Sequence, residues 1–135
     1  MSYIPSALRR LVVDRAEGRC EYCLYPEDAA LYAFQIEHIV SEKHGGKTEA
    51  KNLALACPYC NRAKGADIAS IDPKTGELTA LYNPRTQSWP EHFVLKGARI
   101  SPCSAHGRVT IRILQMNHAD RLRERKILIE AGKYP

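Results

Sequence analysis

Cys20-Glu21-Tyr22-Cys23 and Cys57-Pro58-Tyr59-Cys60 are the stretches that decide the fold of this chain. Each places two thiols two residues apart, so that both sulfurs of a turn converge on one cation. Two such turns complete a tetrahedron, and zinc is the preferred ion for four thiolates. A redox motif does not need a matched second pair, and an iron–sulfur site or metal-free buried thiols are the remaining alternatives. Four thiolates leave no open position for water, so a zinc ion here holds the fold and performs no chemistry. The fifth cysteine, Cys103, has no sequence partner and is expected to be buried among apolar side chains.

Closing the two turns on one ion makes neighbours of the ends of segment 24–56. It draws Glu37-His38 toward Asn52 and toward Asn61, the residue after the last thiol. A carboxylate, an imidazole and two carboxamides then meet beside Lys43, His44, Arg62 and Lys64. That set supplies what phosphodiester hydrolysis requires. A neutral histidine accepts a proton from water near pH 7. Glu37 and the Asn61 carboxamide offer hard oxygen ligands to a divalent ion. Lysine and arginine hold a DNA backbone.

In kind and order, these residues resemble the HNH endonuclease family with its ββα-metal site. The likeness is carried by Cys20-Glu21-Tyr22-Cys23, Glu37-His38-Ile39-Val40, Gly45-Gly46, Lys51-Asn52-Leu53 and Cys57-Pro58-Tyr59-Cys60-Asn61-Arg62-Ala63-Lys64-Gly65, and it covers about residues 8–66. The resemblance implies that His38 is the general base and that Glu37 is a ligand of a catalytic metal. It implies that Asn52 ties the loop that aims His38, and that Asn61 is a second ligand where the family uses His or Asn. With Asn at that place the catalytic ion is expected to be Mg²⁺ or Mn²⁺ rather than zinc. Lys43, His44, Arg62 and Lys64 are expected to contact phosphate. The products implied are a 5′-phosphate and a 3′-hydroxyl, with one strand nicked per site. The competing reading is a non-catalytic zinc-stabilised nucleic-acid-binding module.

Working outward, Pro5 and the apolar positions Leu8, Leu11, Val12 and Ala16 predict an N-terminal helix that ends near Gly18. Residues 33–40 read as a strand, with Phe34, Ile36 and His38 on one face and Gln35 and Glu37 on the other. Thr48 is expected to cap a short helix reaching Asn52. Asp72-Pro73-Lys74-Thr75-Gly76-Glu77 predicts a turn. Phe93-Val94-Leu95 and Val109-Thr110-Ile111 read as short strands, and His118–Ala131 as a helix closed by Gly132. Tyr82, Trp89 and Phe93 are expected to pack the C-terminal third onto the core. Arg108, Arg112, Arg121, Arg123 and Arg125 form a basic set interleaved with Asp120 and Glu124, which reads as a salt-bridged surface or a DNA-facing one.

The fold class expected is α+β: a small ββα-metal core stapled by a four-cysteine zinc site, with an N-terminal helix and a C-terminal α/β extension. One domain is expected over 1–135, with the core at about 8–66 and the extension at about 67–135. The 135 residues carry 20 Lys and Arg against 15 Asp and Glu, a formal net charge of +5. That balance favours a polyanionic partner, here DNA. Hydrophobic residues at 44% and charged residues at 26% exclude wholesale disorder. No apolar run approaches the roughly 20 residues that span a bilayer. The first residues lack a secretory pattern, so a cytoplasmic protein with thiols kept reduced is expected.

Overall fold

The computed structural model describes residues 3–135. Helix α1 (Ser6–Arg15) starts after Pro5, whose fixed φ suits a helix entry. Val12 is its one fully buried residue, and Leu11 stays exposed, so the packed stripe is narrower than the sequence pattern implies. Arg15 anchors the helix. Its Nη2 donates to the carbonyls of Ala50 (2.7 Å) and Leu53 (2.5 Å).

Strands β1 (Gln35–His38) and β2 (Leu53–Ala56) pair antiparallel, with Glu37 opposite Ala54 and His38 opposite Leu53. Strand β2 is buried along its whole length. The first thiol turn closes against it: the Glu21 N–H donates to the Leu55 carbonyl, and Glu21 Oε2 accepts from the Leu55 N–H, both at 2.9 Å. Helix α2 (Pro58–Lys64) follows β2 directly, with Cys57 as its N-cap. This strand–strand–helix order is the ββα unit expected from the sequence. The architecture is α+β, with short antiparallel strand pairs, helices and a cysteine cluster.

Beyond α2, strands β3 (Ala69–Ile71) and β4 (Leu78–Ala80) form a hairpin around the Asp72–Glu77 turn. Helix α3 (Trp89–His92) leads into strands β5 (Phe93–Lys96) and β6 (Arg99–Pro102), a second hairpin. Helices α4 (Ala105–Ile113) and α5 (Ala119–Glu130) complete the chain. The expected strand over Val109-Thr110-Ile111 is therefore wrong, because those residues lie inside α4. The Ser104 hydroxyl caps the helix by accepting from the Gly107 N–H at 3.1 Å. Val109 and Thr110 are buried on its inner face, so capping and packing override β-branched preference. Gly107 is pressed so close to the His92 carbonyl that a Cβ there would stand 2.2 Å from its oxygen.

The extension is tied to the thiol turns by aromatic packing and polar bonds. Trp89 Nε1 donates to the Tyr22 carbonyl at 2.8 Å. The Tyr82 ring packs edge-on against Tyr22 (6.4 Å between centroids) and Phe93 (5.2 Å). Arg85 pairs with the Glu21 carboxylate. Cys103, expected to be buried, is exposed, because its position after β6 leads out to the surface rather than into the core. Among the described residues no helix is long and apolar enough to cross a membrane.

Candidate metal centre and active site

The thiol turns converge as their spacing requires. Cys20, Cys23, Cys57 and Cys60 are all buried, and their sulfurs lie within 4.8 Å of one another. The sulfurs of Cys23 and Cys57 are 3.7 Å apart. A zinc ion bound tetrahedrally at about 2.3 Å sets its sulfurs about 3.8 Å apart, so the four donors fit that ion. Both turns are stabilised alike: the Cys23 N–H points at the Cys20 sulfur (3.5 Å) and the Cys60 N–H at the Cys57 sulfur (3.4 Å).

The C-terminal helix closes this cluster. Arg121, only 5% exposed, donates from Nη2 to the Cys60 sulfur at 3.0 Å, with Cys57 at 3.8 Å. Its guanidinium also lies over the Tyr59 ring, 5.5 Å from the centroid. The Tyr134 hydroxyl donates to the Cys23 carbonyl at 2.7 Å. Arg125 is buried as well and donates to the carbonyls of Ala98 and Met116. Arg121 and Arg125 do share a helix face, but that face is turned inward. Neither is a DNA-facing cation nor part of a solvated surface.

Glu37 and His38 sit side by side on β1 and point to opposite faces. The sidedness follows the sequence alternation, yet the burial does not. Glu37 is 6% exposed, because its face is covered by the thiol turn and α2. Both of its oxygens are engaged: the Tyr22 hydroxyl donates to Oε1, and Lys64 Nζ lies 3.2 Å from Oε2. Burial pushes the Glu37 carboxyl above its ordinary range, against the opposing pull of Lys64 and Tyr22.

Lys64 reaches Glu37 because positions 57, 60, 61 and 64 share one face of α2. Cys57 and Cys60 point that face at the thiol cluster, and Lys64 continues it to Glu37 on β1. Lys64 is 2% exposed and also donates to the Ile39 carbonyl at 2.9 Å. It is placed as the counter-ion of Glu37, away from the surface where a phosphate contact is made. Lys43, His44 and Arg62 are exposed.

The loop between β1 and β2 is tied by Asn52, which is 9% exposed. Its Oδ1 accepts from the Val40 N–H, and its Nδ2 donates to the carbonyls of Val40 and Lys47, all at 2.9 Å. Gly46 lies against this tie. A Cβ at Gly46 would stand 1.7 Å from the Val40 oxygen and 2.8 Å from Asn52 Nδ2, so any other residue forces the loop to shift. The expected cap at Thr48 does not form. Glu49 precedes the short turn Ala50–Asn52, and the Thr48 hydroxyl instead meets His38 Nε2 at 2.8 Å. Neither Thr48 nor the Tyr22–Glu37–Lys64 chain was found by sequence reasoning. The one available signal was the shared helix face that turns Lys64 inward with the thiols.

Residues 20–67, the span from the first cysteine to just beyond α2, match the family model of HNH endonucleases. The clamped hairpin and helix are thus an HNH endonuclease domain, a fold associated with nuclease activity on nucleic acids. No curated protein matches the chain.

Proposed function

We propose that this protein is a divalent-metal-dependent endonuclease that hydrolyses DNA phosphodiester bonds, with His38 as the general base. The observation that carries the reading is the His38 imidazole. It is half-buried on a strand clamped by the thiol cluster, Asn52 fixes the adjoining loop, and Nδ1 has no partner among the described residues. His38 takes a proton from water, and the water oxygen forms its bond to phosphorus in line with the leaving 3′-oxygen. The P–O3′ bond breaks and the 3′-oxygen gains a proton, giving a 5′-phosphate and a 3′-hydroxyl. One site cuts one strand, so a single engagement leaves a nick.

Glu37 and Asn61 would hold Mg²⁺ or Mn²⁺, since both offer the oxygen donors that hard cations prefer, and such an ion supplies charge neutralisation at the phosphate. Each carboxylate oxygen of Glu37 retains a further acceptor position beyond its present bond. Lys43, His44 and Arg62 are exposed, and their cations would hold phosphates of the DNA backbone. Reduced thiols accord with a cytoplasmic location.

One observation favours a second reading, a non-catalytic zinc-stabilised nucleic-acid-binding module. It is the closure of Glu37 by Tyr22 and Lys64. The readings separate when supercoiled plasmid is incubated with zinc-loaded protein in EDTA, Mg²⁺ or Mn²⁺. Open-circle product that requires the divalent ion supports the enzyme. Retarded DNA without any cleavage supports the binding module.

A further inference from the structure

We propose that Thr48 is a positioning residue for His38, holding the ring in the tautomer that carries its proton on Nε2. The inference rests on the nuclease reading above and names what aims the base. His38 Nε2 and the Thr48 hydroxyl oxygen are 2.8 Å apart. With the proton on Nε2, the ring donates to Thr48 and leaves the Nδ1 lone pair for water. The opposite tautomer would put the proton on Nδ1 and engage the remaining lone pair, on Nε2, with the Thr48 hydroxyl. A general base needs the first arrangement.

The same geometry explains how Asn52 acts on a histidine that it does not touch. Its carboxamide holds Val40, two residues beyond His38, and the Lys47 carbonyl, one residue before Thr48. The backbone is therefore fixed on both sides of the His38–Thr48 contact. Gly46 permits the close approach that brings those strands of the loop together. Asn52 sets the loop and Thr48 passes that setting to the ring.

The test compares wild type, Thr48→Val and Thr48→Ser, each zinc-loaded and matched in melting temperature. Nitrogen-15 NMR of the His38 ring reads the tautomer directly, and plasmid nicking at saturating Mn²⁺ reads kcat and KM. Thr48→Val removes the acceptor at nearly constant volume. It is expected to lose the single Nε2–H signature and to lower kcat about tenfold or more, with KM for DNA unchanged. Thr48→Ser keeps the hydroxyl and is expected to restore both. A Thr48→Val ring spectrum and kcat equal to wild type overturn the proposal. So does Thr48→Ser behaving like Thr48→Val in a folded protein. The NMR comparison tests the contact whether or not the protein cuts DNA, whereas a wild type without His38-dependent cleavage overturns the nuclease reading itself.

Discussion

Arg121 on α5 donates to the sulfur of Cys60 on α2 across 3.0 Å, and both side chains are buried. Four thiolates around a divalent ion leave excess negative charge. A guanidinium at this distance offsets part of it in a low-dielectric setting, where a charge-assisted hydrogen bond is strong. The extension therefore supplies a counter-charge to the thiol cluster as well as packing against it.

Arg121→Met is expected to loosen the metal. It removes the buried counter-charge while keeping much of the apolar stem. Zinc transfer to a chromogenic chelator is expected to quicken by about tenfold. An unchanged transfer rate at equal stability would show that the bond to Cys60 has no part in holding zinc.

Lys64→Met bears on the role of Glu37. At present Lys64 stands 3.2 Å from Glu37 Oε2, where it competes with any cation for that oxygen. Removing the ammonium is expected to tighten Mn²⁺ binding by about tenfold, followed by EPR on zinc-loaded protein. If Mn²⁺ affinity is unaltered by both Lys64→Met and Glu37→Gln, Glu37 is not a ligand.

Gly46→Ala inserts a methyl into the Val40 carbonyl and the Asn52 amide. The loop must shift, at a cost of about 1–3 kcal/mol by analogy with overpacked cores. Nicking is expected to fall by more than the folded fraction does, because the displaced loop carries Thr48. Urea denaturation with parallel activity measurements separates the two effects.

Asp72 gives a pH signature. The Arg108 guanidinium grips both of its oxygens, at 2.9 and 2.8 Å, and the Lys74 amide and Thr75 hydroxyl add further bonds. These hold the carboxyl well below the usual carboxylate range, although desolvation works the other way. A depressed folded value means that the stabilisation is complete above the unfolded value of about 3.9 and drains away below it. Wild type is expected to lose stability progressively as the pH falls below about 4, and Asp72→Asn to be less stable at neutral pH with a flatter acid limb. Thermal melts across that range show the difference.

The cysteine spacing made the clamp legible, the resemblance carried by the motifs implied the ββα core, and Asp72-Pro73-Lys74-Thr75-Gly76-Glu77 signalled the turn, since each depends on local chemistry that residue types report. The miscast segments depend on distant partners. Val109-Thr110-Ile111 has strand propensity, but Ser104 caps a helix there and the inner face packs. Arg121 and Arg125 look like surface cations until the thiol cluster and the carbonyls of Ala98 and Met116 are placed beneath them. Alternation put Glu37 opposite Ile36 and His38, as found, but could not tell that Tyr22 and Lys64 would bury it. The tie that Asn52 makes across the loop after His38 was legible from its place in the motif; the contacts of His38 with Thr48 and of Glu37 with Tyr22 and Lys64 were not.

The most direct test of His38 as the base is supercoiled plasmid incubated with wild type or His38→Ala, at matched zinc content and in Mn²⁺. Wild type is expected to convert the plasmid to open circle and the variant to lose that conversion, by at least about a hundredfold. Equal nicking by the two proteins would trace the activity to a contaminant or another residue and contradict the assignment of His38.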